Sequence, residues 1–332
     1  MIKKTLHAAA WRLESLFDGF RGQRDPRRVI EPYLGYATPD HLIVRGRVLA
    51  ALRRNQIAPD QSKWTNFKQM LSLFLTDEVG NVAVSAGGMS ARTDEEGYFT
   101  LLLPRQDAEG WQDVPVRIAG QASVSNCPVY VTPASARFGV VSDIDDTMMQ
   151  TGAYSLLRNL WTSLTGNAAT RHVFPDAVAL LRKLAEGGRN PVFYVSSSPW
   201  NLHHFLSRIF DRVGLVRGPM FLRDLGLSKT QFIAGTHGGH KGASIDTLLA
   251  AHPDLPFVLI GDTGQKDAFV YHDVIERHPG RIRAVLLREP GPGPDAQSRE
   301  MMEAISARGV ALLHGPEFTG FAERLQAVLP QD

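Results

Sequence analysis

The chain opens on an apolar stripe at helical spacing: Leu6, Ala9, Ala10, Leu13, Leu16, Phe17 and Phe20 share one face, and Lys4, His7, Glu14 and Asp18 lie opposite. That periodicity predicts an amphipathic helix. Arg21, Arg24, Arg27 and Arg28 follow it, and such a pair of features suits either an anionic membrane surface or packing against protein. From Ile30 to about Pro133 the rhythm changes to short extended runs, at 42–49, 81–85, 98–103 and 114–118, separated by turn residues. Asp94-Glu95-Glu96-Gly97 reads as a hairpin turn before Tyr98. A small β-sandwich is the expectation, with one helical run at 61–75.

After Pro133-Ala134-Ser135 apolar runs alternate with amphipathic segments. Strands are expected at 138–142, 192–195, 220–222, 232–234, 257–260, 282–287 and 310–313, and helices at 176–186, 201–213, 243–251 and 269–277. This alternation predicts an α/β unit with a parallel sheet covered on both faces, whose ligands bind beyond the carboxyl ends of the strands. A chain of 332 residues exceeds what one core usually serves. The division expected is an amphipathic helix and basic linker over 1–29, a β-sandwich-like unit over 30–135, and the α/β unit over 136–332.

Composition narrows the function classes. With 43% hydrophobic and 21% charged residues the chain has material for globular cores. A net charge of +2 gives no electrostatic footprint for nucleic acid. The single cysteine, Cys127, excludes an internal disulfide or cysteine-based zinc site, and its apolar setting predicts a buried thiol. His7, Arg12 and Glu14 interrupt the first apolar stripe, so a cleaved leader is not expected. No window holds the roughly 18 uncharged apolar residues of a membrane span. A cytoplasmic location is the expectation, with peripheral membrane contact left open.

The chemistry gathers at expected strand ends. The first strand of the α/β unit runs into Ser142-Asp143-Ile144-Asp145-Asp146-Thr147, three carboxylates within four residues. The second ends Ser196-Ser197-Ser198-Pro199-Trp200, hydroxyls and N–H groups suited to phosphate. Lys241 opens a later helix, and the strand at 257–260 leads into Gly261-Asp262-Thr263-Gly264-Gln265-Lys266-Asp267. Each group alone has a plainer use as a cap or turn residue. Together, in this order, they describe a phosphoryl-transfer site. His203, His204, His237, His240 and His272 are scattered and predict no metal centre.

These four features resemble the motifs of the haloacid dehalogenase superfamily, and the strings around Asp143, Ser196 and Asp262 are similar to those of its actin-patch type of phosphatidate phosphatase catalytic domain. Tyr33-Leu34-Gly35-Tyr36-Ala37-Thr38-Pro39 and Arg45-Gly46-Arg47-Val48 also resemble the β-unit that precedes it in bacterial members. The resemblance implies a haloacid dehalogenase-like (Rossmannoid) sheet with a small cap insert. It also implies a Mg²⁺ cofactor held by Asp143, Asp262 and the Asp145 carbonyl, with Asp143 as nucleophile and Asp145 as general acid and base. Ser196, Ser198 and Lys241 would bind the phosphate, with Thr147 and Asp267 in support. Three readings stay open: phosphatidate hydrolysis at a membrane surface, hydrolysis of a soluble phosphomonoester, and a non-catalytic binding module. The insert bearing Leu156, Leu157, Leu160, Trp161 and Leu164 suits either a packed cap or acyl-chain contact.

Overall fold

The computed structural model describes residues 28–50, 79–150, 173–223, 237–291 and 293–329. The helices expected at 6–20 and 61–75, the strand at 232–234 and the apolar insert at 156–164 lie outside them.

The first half forms seven strands: β1 (Arg28–Ala37), β2 (His41–Ala50), β3 (Ala83–Ala86), β4 (Met89–Arg92), β5 (Tyr98–Pro104), β6 (Gly110–Ile118) and β7 (Val124–Val131). They make one sheet in the order β4-β3-β6-β7-β1-β2-β5, antiparallel except where β1 meets β7. The expected sandwich is therefore corrected to a single sheet that nearly closes, because its edge strands β4 and β5 approach each other. Alternate residues of every long strand point into one interior: Phe99, Leu101 and Leu103 from β5 meet Val114, Val116 and Ile118 from β6, with Cys127 and Val129 between them. The turn at Asp94 is present, its carboxylate accepting the Glu96 and Tyr98 amides at 3.0 and 2.9 Å. It joins the two opposite edges of the sheet, not two neighbouring strands.

The second half is a six-stranded, wholly parallel sheet: β8 (Gly139–Ser142), β9 (Val192–Pro199), β10 (Met220–Arg223), β11 (Phe257–Asp262), β12 (Ile282–Arg288) and β13 (Ala311–Gly315). Helices α1 (Pro175–Ala185), α2 (His203–Val213), α3 (His237–Ala251), α4 (Asp267–Arg277), α5 (Ala296–Ala307) and α6 (Phe321–Leu325) cover it. Residues alternate between two apolar layers, Val140, Tyr194, Val258 and Ile260 facing α1 and α2, and Val141, Phe193, Leu259 and Leu287 facing α3 and α4. Burial on both faces explains why these strands are continuous apolar runs. Helix α5 was not anticipated, although Asp295 caps it by accepting the Ser298 amide at 2.7 Å.

The strand order β10-β9-β8-β11-β12-β13 reverses direction between β8 and β11. A crevice opens at the carboxyl ends of strands at such a switch. The two sheets also share a contact surface. Tyr36 and Ile43 of the first sheet pack into the apolar layer beside α3, and the half-buried Arg45 donates to the Leu34 and Met220 carbonyls at 2.8 and 3.1 Å.

Candidate active site

Asp143 follows the last residue of β8, and Asp262 ends the neighbouring β11, so the strand-order switch sets two carboxylates side by side. The Asp143 amide donates to the Ile260 carbonyl at 2.8 Å, continuing the ladder and fixing the backbone from which its side chain leaves. Its Oδ2 accepts from the Thr147 hydroxyl at 3.2 Å. Its Oδ1 lies 2.9 Å from the Lys241 ammonium yet makes no well-directed hydrogen bond. Asp262 Oδ1 accepts the Gly264 and Gln265 amides at 2.5 and 2.8 Å, whereas its buried Oδ2 has no hydrogen-bond partner among the described residues.

Asp267, the first residue of α4, completes the cluster. It accepts from Lys241 at 2.5 Å through Oδ1 and from the Asp262 amide at 3.2 Å through Oδ2. Gly261 makes this approach possible, because a Cβ there would stand 2.4 Å from Asp267 Oδ2. Lys241 sits one turn inside α3, not at its start as expected, because the helix begins at His237.

The electrostatics of this arrangement are one-sided. Burial raises the Asp143 pKa well above the ordinary carboxylate value; Lys241 opposes the shift, and Asp267, Asp145 and Asp262 add to it. Burial and Asp267 together push Asp262 up to about 8, against Lys241 and the two loop amides. Burial works against the Lys241 ammonium, yet Asp143 and Asp267 raise its pKa overall and keep it charged. One ammonium thus faces three buried carboxylates.

This chemistry fits a bound cation. Ligand oxygens of Asp143, Asp262 and Asp267 lie within 4.8 Å of one another, and two of their buried oxygens, Asp143 Oδ1 and Asp262 Oδ2, lack hydrogen bonds from the described residues. An all-oxygen donor set suits a hard divalent ion. Asp267 joins this cluster, whereas the Asp145 side chain turns elsewhere: its Oδ2 accepts from the Ser196 and Ser198 hydroxyls at 2.6 and 2.9 Å. The Ser198 amide donates in turn to Ser196 Oγ at 2.9 Å. The Asp145 carbonyl accepts from the Gln265 side chain at 3.0 Å, which ties the loop after β8 to the loop after β11. Asp146 adopts a left-handed φ of 55°, and its amide bonds to the Met149 carbonyl at 2.8 Å to close the turn.

Sequence reasoning missed Arg288, which ends β12 beside Asp262. It is buried, with Nε donating to the Thr147 carbonyl at 3.1 Å and Nη2 to Asp176 at 2.6 Å. Phe174 and Phe318 lie against its guanidinium, their ring centroids 4.1 and 4.4 Å away. The signal was present, since Arg288 is one more charged residue closing an apolar strand at the same edge of the sheet. Gln265 was quoted within its motif without a role.

Among curated proteins, the chain is 26% identical over 159 residues to the phosphatidate phosphatase APP1 of Saccharomyces cerevisiae, a match covering 48% of this chain and 27% of that one. It is 25% identical over 231 residues to an uncharacterised protein of Schizosaccharomyces pombe, covering 66% of this chain and 37% of that one. Both relatives are thus much longer than the region they share with it. Among solved structures, a carbohydrate acetylesterase from Xanthomonas citri is similar at 16% identity and a TM-score of 0.29 over 85% of this chain and 75% of that one, too remote to carry an argument. Residues 138–289, the stretch that contains Asp143, Asp145, Ser196, Lys241, Asp262, Asp267 and Arg288, match the family described as the phosphatidate phosphatase APP1 catalytic domain.

Proposed function

We propose that this chain is a Mg²⁺-dependent phosphomonoesterase of haloacid dehalogenase type that works through an aspartyl phosphate on Asp143, with phosphatidate as its substrate and diacylglycerol and phosphate as products. One observation carries the reading: Asp143 and Asp262 stand on adjacent strand ends at the strand-order switch, with the Lys241 ammonium 2.9 Å from Asp143 and 2.5 Å from Asp267. The match of residues 138–289 and the name of the yeast relative support the phosphatidate assignment. Residues 136–332 are taken as the phosphatase unit and 30–135 as its accessory unit. Outside the described residues, the basic amphipathic segment 1–27 is proposed to rest on an anionic membrane surface.

A phosphomonoester resists nucleophiles because its own oxygens carry negative charge, so a site must supply cationic compensation and a positioned attacker. Asp143, Asp262 and the Asp145 carbonyl would hold the metal ion. When bound, the ion neutralises charge on the phosphoryl oxygens. Asp143 attacks phosphorus, and the bond from phosphorus to the ester oxygen breaks as the Asp143–phosphorus bond forms. Asp145 gives its proton to the departing oxygen, then takes one from the water that hydrolyses the aspartyl phosphate. Lys241 offsets phosphoryl charge. The Ser196 hydroxyl, which donates to Asp145 at 2.6 Å, turns to donate to the phosphoryl group when substrate arrives.

A phosphate-release screen tests this, comparing phosphatidate in mixed micelles with sugar phosphates, nucleotides and phosphopeptides. The expected result is release from phosphatidate that is lost in EDTA, restored by Mg²⁺, and absent from a folded Asp143→Asn variant. Wild-type turnover by that variant would remove Asp143 as nucleophile. Release from soluble esters alone would replace phosphatidate while keeping the chemistry.

A further inference from the structure

The face of the first sheet that meets the second carries four side chains in register: Tyr33 lies opposite Arg45, and Arg47 opposite Tyr98. All four converge on the short segment between Ser198 and the start of α2. The Tyr33 ring stacks on Trp200, with centroids 4.8 Å apart and planes 16° from parallel, and the buried His203 ring lies 4.2 Å from it. The Arg47 guanidinium and the Tyr98 hydroxyl both donate to Asn201 Oδ1 at 3.3 Å, filling both lone pairs of that amide oxygen. Arg47 is itself fixed, with Nε donating to the Glu96 carbonyl at 2.8 Å and its guanidinium 4.6 Å from the Tyr98 ring centroid. Arg45 lies 5.5 Å from the Trp200 ring centroid.

Trp200 and Asn201 stand two and three residues beyond Ser198, joined to it through Pro199, which is paired with Arg223 at the edge of the sheet. Ser198 and Ser196 are the two hydroxyls that hold the Asp145 carboxylate. Ser196, Ser197 and Ser198 form the carboxyl end of β9, where short polar side chains bring little apolar area with which to fix the strand end. Here the anchorage comes from the other half of the chain. We propose that the N-terminal sheet is a working part of the active site, with Tyr33, Arg47 and Tyr98 as positioning residues that set the carboxyl end of β9 at Ser196–Ser198 and, through it, Asp145. This rests on the reading of Asp145 and Ser196 given above. It assigns the first sheet a function within the reaction, separate from any recruitment of partners.

The test uses the full chain with p-nitrophenyl phosphate and Mg²⁺. Tyr33→Ala removes the stack and Tyr33→Phe keeps it. Tyr98→Phe removes one hydroxyl donor and no packing, so it also serves if Tyr33→Ala fails to fold. The expected result is a kcat lower by about tenfold in Tyr33→Ala, with KM nearly unchanged, since a misplaced catalytic group slows the chemical step more than it weakens binding. Tyr98→Phe should fall by a few-fold in kcat, and Tyr33→Phe should match the parent chain. Amide hydrogen exchange should accelerate at 196–203 in Tyr33→Ala and Tyr98→Phe and stay unchanged at 139–143 in both. Wild-type kcat in a folded Tyr33→Ala, or equal losses in Tyr33→Phe and Tyr33→Ala, would overturn the proposal. If the parent chain releases no phosphate from any ester, the phosphatase reading fails by itself. The exchange measurement then still decides, and unchanged rates at 196–203 would overturn the anchorage.

Discussion

Gly261 stands where a side chain has no room. A Cβ there would meet Asp267 Oδ2 at 2.4 Å and the Tyr271 hydroxyl at 2.7 Å, so alanine has to displace the carboxylate that holds Lys241. Overpacking a tight site costs about 1–3 kcal/mol. The Gly261→Ala variant is expected to lose that much unfolding free energy, and so to melt at a lower temperature, and to gain less thermal stability from added Mg²⁺ than the parent, a difference that calorimetry with and without the ion reads directly. At this scale the sequence was informative about identity and less so about contacts. Asp143, Ser196 and Asp262 announce themselves as polar residues closing apolar runs, and Lys241 as a cation near a helix start. That Asp145 gives its side chain to Ser196 and Ser198, and only its carbonyl to Gln265, depends on the path of the loop.

Strand ends, taken as elements, explain how the loop after β8 keeps its shape. Arg288 closes β12 and reaches across to the Thr147 carbonyl, and the Thr147 hydroxyl donates to Asp143, so one buried guanidinium braces the residue proposed to attack. Its partner Asp176 also accepts the Phe318 amide at 2.7 Å, binding the start of α1 to the chain after β13. Removing one member of a buried ion pair strands the other, at a cost of about 3–5 kcal/mol. Arg288→Met is therefore expected to lower the unfolding free energy by an amount in that range, read as a lower urea midpoint; an unchanged midpoint would show that the brace is idle. The parallel strands were legible because burial on both faces makes them unbroken apolar runs. The first sheet was legible only strand by strand. Alternation in β5 and β6 tells which side is buried and not what it faces, so one sheet curling over its own interior carries the same pattern as two sheets packed together.

Over the whole molecule, the seam between the sheets holds a group sensitive to acid. His203 is buried against Tyr33 and Trp200, and neither ring nitrogen has a hydrogen-bond partner among the described residues. Burial, with Arg45 and His204 adding to it, lowers its pKa from 6.5 to about 3. A histidine held neutral in the folded state contributes stability that is intact above its unfolded pKa and is lost as the pH falls through the interval between the two values. The chain should thus weaken progressively below pH 6.5. His203→Phe, which keeps a ring against Tyr33 and removes the titration, should flatten that decline when urea midpoints are compared at several pH values. None of this seam was visible beforehand: Arg47 and Asn201 are 154 positions apart, and Arg45 and Met220 are 175 apart, beyond the reach of any local pattern.

The β8–β11 ladder has a consequence for how such a chain can change over generations. Asp143 and Asp262 leave two strands whose pairing is fixed from Phe257 opposite Gly139 to Ile260 opposite Ser142. The spacing of the two carboxylates is inherited from the sheet and is indifferent to the length of any loop. Under the reading proposed above, loops at that edge can lengthen, shorten or exchange side chains, and so alter which ester would be admitted, without retuning the spacing of the two carboxylates. What the site accepts and what it does are free to diverge separately.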